Sequence, residues 1–189
     1  MSGLLFIRHA ETDMAGTFCG HSDPPVNGRG KQQILDLIGH LAHEAIEEVY
    51  CSDLRRAVGT AGPVAQASAA PVTKRQSLRE IYFGDWEGLT WTEIEQLDPA
   101  YAKRWVQEFP HLPAPGGEVF ADFQTRIIEE IRHLLFLAED KMIAVVTHRG
   151  VMRVVLLAFH GCTEQEAFDL TALYCCSFAC LSKSEVVSL

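Results

Sequence analysis

Two histidines stand where a buried apolar run stops. Leu4-Leu5-Phe6-Ile7 gives way to Arg8-His9-Ala10-Glu11-Thr12, and Met142-Ile143-Ala144-Val145-Val146 gives way to Thr147-His148-Arg149-Gly150. A third run, Val49 to Ser52, leads through Asp53-Leu54 into Arg55-Arg56, and Glu80 lies among the apolar and aromatic residues of Leu78 to Gly88. Two histidines, a set of arginines and an acid are the parts needed to handle a phosphate ester. Guanidinium forks match phosphate oxygens, an unprotonated imidazole can attack phosphorus, and a carboxylic acid can protonate the departing oxygen. One Arg-His pair alone reads as a charged loop start at a strand end. The second copy of the same arrangement shifts the reading toward chemistry.

Such residues must be carried by strands whose carboxyl ends meet, because open α/β sheets place ligands there. Runs of four or five apolar residues without polar alternation predict strands buried on both faces. Between them, helical spacing predicts a helix from an N-cap at Asn27 to about His43 with Ile34, Leu37, Ile38 and Leu41 inward, and another over about Leu54 to Ala67 kinked at Pro63. A long helix is expected from Val119 to Ala138, with a stripe of Phe120, Phe123, Ile127, Ile131, Leu134 and Leu135. Weaker strands are expected at Pro71 to Lys74, Ser177 to Ser182 and Glu185 to Leu189. Residues 85–117 break the rhythm with Trp86, Trp91 and Trp105 and read as short helices capping the site. Strands and helices in alternation imply a three-layer α/β/α sandwich with a largely parallel sheet, organised as one domain over residues 1–189 with a capping insertion at about 85–117.

Composition excludes several functions. With 189 residues, 48% hydrophobic and 22% charged, the chain suits a single core that buries roughly 70% of the surface exposed when unfolded. A net charge of −9 argues against a nucleic-acid partner, since those surfaces are rich in Lys and Arg. An anionic substrate then needs a local positive pocket. No run is long enough to span a membrane. The cysteines Cys19, Cys51, Cys162, Cys175, Cys176 and Cys180 form no CxxC pair and read as small core residues in a reducing cytoplasm. His40 and His43 lie on one helical turn without a matching acid and read as a solvated face, so no metal is expected.

The chain resembles the histidine phosphatase superfamily, which includes cofactor-dependent phosphoglycerate mutases and α-ribazole phosphatases. The resemblance covers nearly the whole chain. It rests on Arg8 to Thr12, Gly20-His21-Ser22-Asp23 with Asn27-Gly28-Arg29-Gly30, Ser52 to Ala57 with Thr60-Ala61, Leu78 to Gly88, Pro115-Gly116-Gly117-Glu118, and Val146 to Gly150. It implies that His9 is the nucleophile that becomes phosphohistidine and that His148 binds the phosphoryl oxygens. Arg8 and Arg56 would clamp the phosphate, and Thr12 and the backbone of Arg149 and Gly150, at a helix N-terminus, would add donors. Glu80, ranked above Glu11 and Glu87 by position, would be the proton donor, with its apolar neighbours partly desolvating the carboxyl. Arg55 would face water.

Three departures bear on the phosphate grip: Ala10 in place of the commoner glycine, Ala15 where mutases carry asparagine, and Arg149 where many members have a small or neutral residue. The implied activity is a metal-independent, cofactor-free phosphomonoesterase of a small phosphorylated metabolite, most like the α-ribazole phosphatases, working as a monomer or homodimer. A phosphoglycerate mutase is the nearest rival. Mutases are usually longer in the capping region and at the C-terminus, which favours hydrolysis here. A non-catalytic phospho-ligand binder is the rival of another class.

Overall fold

The computed structural model describes residues 2–181 and 186–188. Its strands are β1 (Gly3–Arg8), β2 (Ile46–Ser52), β3 (Val72–Arg75), β4 (Met142–Thr147), β5 (Ser177–Leu181) and β6 (Val186–Ser188). Its helices are α1 (Gly28–His40), α2 (Arg55–Ser68), α3 (Trp91–Leu97), α4 (Pro99–Glu108), α5 (Phe120–Leu137), α6 (Arg149–Phe159) and α7 (Glu164–Leu170). The strands form one sheet in the order β3-β2-β4-β1-β5-β6. The first four run parallel, while β5 and β6 are antiparallel to their neighbours. Ser182, Glu185 and Leu189, read from sequence as part of the last two strands, lie outside the described residues.

Strand side chains alternate between faces, so each apolar run feeds two cores. Leu4, Phe6, Ile143 and Val145 pack with Phe123, Ile127, Ile131 and Leu134 of α5 and with Val151, Val154 and Val155 of α6. Leu5, Ile7, Ala144 and Val146 face the other way, against Leu37 of α1 and Ala57, Ala61 and Val64 of α2. The expected three layers follow. Each large side chain so buried contributes about 1.5–3 kcal/mol, which is why the runs tolerate no polar interruption.

Local signals account for most boundaries. The Asn27 side chain accepts the Gly30 N–H at 2.8 Å and starts α1. That helix ends earlier than expected, because residues 41–43 tighten into a 3₁₀ turn. Helix α7 has no counterpart in the sequence reading. Its signal was the capping box at Thr163, whose side chain accepts from the Glu166 N–H while Glu166 bonds back to Thr163.

Residues 84–117 carry a third cluster of Trp86, Ile94, Ala102 and Ala114, flanked by Phe18, Phe83, Trp91 and Trp105. Phe18 contacts Phe83, Trp86 and Trp105 edge-on, with centroids 5.0, 5.6 and 6.0 Å away. The Phe18 N–H donates to the Leu89 carbonyl and its own carbonyl accepts from Gly88, so the loop after β1 is fastened to this cluster. Gly84 has φ +53°, and a side chain there would strike the backbone of Pro115 and Gly116. Only glycine meets both conditions.

Candidate active site

Sheet register brings the two histidines together. Arg8 pairs with Thr147 across parallel β1 and β4, so the next residue on each strand leaves the sheet at the same edge. The His9 N–H donates to the Thr147 carbonyl at 2.9 Å, and the imidazoles of His9 and His148 sit with centroids 5.0 Å apart. The Ala10 N–H, donating to the Thr60 hydroxyl at 2.9 Å, fixes the turn that follows.

The His9 ring is in one tautomer for a geometric reason. Its Nδ1 is 2.8 Å from the Ala10 carbonyl oxygen. A carbonyl only accepts, so Nδ1 carries the proton and Nε2 keeps its lone pair. Burial lowers the His9 pKa, the Arg56 charge lowers it further, the Ala10 bond raises it, and Arg8 lowers it again; the result is about 3. His9 is therefore a neutral imidazole at physiological pH. His148 is fully buried and is held well below the ordinary histidine value by burial, then by the charge of Arg56. Neither of its ring nitrogens has a protein partner, a costly condition that an anion at the site would relieve.

The arginines divide differently from the expectation. Arg8 lines the cleft, donates from Nη1 to the carbonyls of Thr171 and Ala172, and lies 4.0 Å over the Tyr174 ring. Its Nε remains unpartnered. Arg56 was expected to clamp phosphate, but its guanidinium is fully buried beneath the 19–22 loop, with Nη1 on the Ser22 carbonyl and Nη2 on those of Cys19 and Gly20. Only its Nε is free of partners, so its positive charge acts chiefly through space on both histidines. Arg149 lines the cleft, with its guanidinium 4.1 Å over the Phe168 ring and its Nε unpartnered. Thr12 lines it as well, its hydroxyl accepting the Met14 N–H. Arg55 is exposed, as expected.

Glu80 stands across the cleft. The Thr147 hydroxyl donates to the Leu78 carbonyl at 2.8 Å, and Arg126 donates to the Arg79 and Glu80 carbonyls. These bonds tie the acid-bearing segment to β4, the strand that ends at His148, and to α5. The Glu80 carboxyl is 8% exposed and accepts from the N–H groups of Ile81 at 3.0 Å and Gly150 at 2.9 Å. This corrects the expectation that the Gly150 N–H serves phosphate: one N–H cannot do both, and here the α6 N-terminus holds the acid. It also explains the glycine. A Cβ at position 150 would overlap Glu80 Oε1. Gly150→Ala is expected to displace the carboxyl and cut alkyl-phosphate turnover at least ~10-fold, with the midpoint of thermal unfolding nearly unchanged. Unaltered kinetics would show that the carboxyl has no fixed place in the reaction.

The competing acids are engaged elsewhere. Glu87 accepts the N–H groups of Gly20, His21, Ser22 and Phe83. Burial pushes its carboxyl up, but the bonds from Ser22, His21 and Phe83 win and hold it below the ordinary value. Glu87 is a charged clasp on the loop. Glu11 accepts from Asn27 and pairs with Arg29 at 3.6 Å. Among the described residues, Glu80 is the one carboxylate lining this cleft of about 440 Å³.

Sequence reasoning missed Tyr174 and Arg153, which line the cleft too. The Tyr174 ring lies tilted against His9, centroids 5.7 Å apart. It arrives just before β5, whose antiparallel course starts at the edge where β1 ends, a placement no local pattern announces. Arg153 lies one helical turn beyond Arg149 on α6, and that spacing could have found it. Trp91 reaches the cleft while Trp86 is buried, and Ala15 is exposed outside the lining. Among the described residues no three His, Cys, Asp or Glu side chains gather to hold a metal ion.

Comparison with known proteins places this geometry. A family model described as histidine phosphatase superfamily (branch 1) matches residues 4–185. The adenosylcobalamin/α-ribazole phosphatase of Escherichia coli is 32% identical over 160 residues, covering 84% of this chain and 79% of that protein. Phosphoserine phosphatase 1 of Hydrogenobacter thermophilus is 32% identical over 166 residues, covering 85% and 77%. The crystal structure of the α-ribazole phosphatase from Shigella flexneri superposes with a TM-score of 0.87 at 28% identity, covering 100% of this chain and 95% of that one. The chain spans about half the length of the relatives from Mycobacterium tuberculosis and Mycobacterium bovis that it matches at 33% identity.

Proposed function

From the premise that the chain belongs to the histidine phosphatase superfamily, we propose that it is a metal-independent phosphomonoesterase acting through a phosphohistidine at His9. The observation that carries this reading is the neutral, tautomer-fixed His9 facing Glu80 across a cleft bordered by Arg8 and Arg149.

In the first step the Nε2 lone pair of His9 forms a bond to phosphorus and the ester P–O bond breaks. The departing oxygen takes a proton from Glu80, so an alcohol leaves rather than an alkoxide. His148 and Arg8 stabilise charge that gathers on the phosphoryl oxygens, and the buried Arg56 guanidinium adds its positive charge through space. Thr12 and Arg149 border the same space. In the second step a water gives its proton to Glu80 and attacks phosphorus, the P–N bond breaks, and inorganic phosphate departs with His9 and Glu80 restored. Each bond made and broken in these two steps is accounted for without a metal ion.

The substrate is a small phosphorylated metabolite, and α-ribazole 5′-phosphate is the first to test, on the strength of the Escherichia coli and Shigella relatives. The Hydrogenobacter relative, named for phosphoserine at the same identity, makes free phosphoserine the necessary comparison. No helix among the described residues is long and apolar enough to cross a membrane. Hydrolysis of an aryl phosphate is expected to survive excess chelator unchanged. Activity lost to chelation and restored by a divalent ion would overturn the metal-free mechanism.

A further inference from the structure

A second cavity, of about 220 Å³, opens beside the cleft, and Glu80, Phe83, Arg149 and Arg153 line both. Its own walls are apolar: Trp105, Phe109, Leu112, Phe120 and Phe123. Trp105 and Phe120 each pack 5.5 Å from Phe109, centroid to centroid. Phe109 is nonetheless 45% exposed, a large ring left partly in water at the cavity wall. The cavity's other acid, Glu118, is tied up by Arg126 at 2.7 and 2.9 Å.

We propose that this annex is the leaving-group subsite and that it selects phosphomonoesters whose alcohol carries an apolar, ring-sized group over small polar ones. The inference rests on the phosphatase reading, because it uses Glu80 as the residue that meets the departing oxygen. If the phosphoryl group lies between His9 and Glu80, the carbon chain on that oxygen must extend past Glu80. The annex begins there. An apolar cavity of roughly 150 Å³ accommodates benzene, so 220 Å³ holds one ring with its linker. An ammonium-carboxylate head such as that of serine would find Arg149 and Arg153 only where the annex joins the cleft and would be desolvated among the rings beyond.

The test separates binding from chemistry. The non-hydrolysable 3-phenylpropylphosphonate and propylphosphonate would be compared by calorimetry, and the corresponding phosphate esters by kcat/KM. Both alcohols are primary, so leaving-group reactivity is nearly matched. Burying the ring should give the phenyl compound an advantage of ~10–100-fold in each measurement. Phe109→Asp and, independently, Leu112→Asp should bring the ratio close to one. A ratio near one in the unmodified protein, or one that survives both substitutions, would overturn the annex. Preferential phenylpropylphosphonate binding without cleavage of either ester would leave the annex standing and remove the phosphatase reading. Cleavage of both esters at equal rates would do the reverse.

Discussion

His9→Ala is expected to abolish the acid-labile phosphoryl label and to reduce turnover by at least ~10⁴-fold, the scale seen when a nucleophile is removed and only binding and charge stabilisation remain. The expectation comes from the ring's tautomer. Nδ1 is committed to the Ala10 carbonyl, so Nε2 is the nitrogen with a lone pair, and a pKa of about 3 keeps that lone pair free at any pH above about 4. His148 is fully buried behind the residues that line the cleft, and no bond selects its tautomer. His148→Ala should therefore still take up label, ~10²–10³-fold more slowly, as when a transition-state hydrogen bond is lost. Rapid quenching after mixing with substrate, followed by peptide mapping, reads both results. Label on the peptide holding His148 would reverse the roles, and phospho-ligand binding without label at either histidine would make the protein a non-catalytic binder. Histidine NMR adds a separate check: His9 should show no titration between pH 7 and 4, whereas a midpoint near 6.5 would contradict its burial among Arg8 and Arg56.

How far the sequence could carry this follows from where each signal lives. His9 and His148 were legible because each ends an apolar run, and a run buried on both faces has one kind of place in an α/β protein. That they lie side by side depends on β1 pairing with β4, a long-range choice local pattern does not state. Glu80 was legible by position only. Its neighbours Leu78 and Ile81 do not reveal that the Thr147 hydroxyl and Arg126 fasten its segment to β4 and α5. Gly150 was read as a phosphate donor because helix N-termini bind anions; the anion it meets in the structure is the protein's own carboxylate. Arg56 was read as a clamp because a guanidinium suits phosphate, but the carbonyls of Cys19, Gly20 and Ser22 compete for the same donors. A residue type states what a side chain can bind, and the fold decides what reaches it.

The second large effect expected is selective. Glu80→Gln should slow hydrolysis of alkyl phosphates by ~10²–10⁴-fold, the usual worth of a positioned acid, while esters with a good phenolic leaving group lose much less in the labelling step. An alkoxide cannot depart without a proton, whereas a phenolate can. Glutamine keeps the volume of the side chain, and its amide oxygen can still accept from one of the Ile81 and Gly150 N–H groups that now bond the two carboxylate oxygens, while the Thr147 and Arg126 bonds to the backbone carbonyls keep the segment in place. The same carboxyl is the base for the attacking water, so with an aryl ester the variant should form label at nearly the normal rate and then accumulate it. A burst of phenol followed by slow steady-state turnover is the resulting signature. Equal losses on alkyl and aryl esters, with no burst, would show that Glu80 moves no proton. With Glu87 engaged by four backbone N–H groups and Glu11 held by Asn27 and Arg29, the proton would then have to come from water admitted to the cleft, and Glu80 would be left only with the task of anchoring the start of α6.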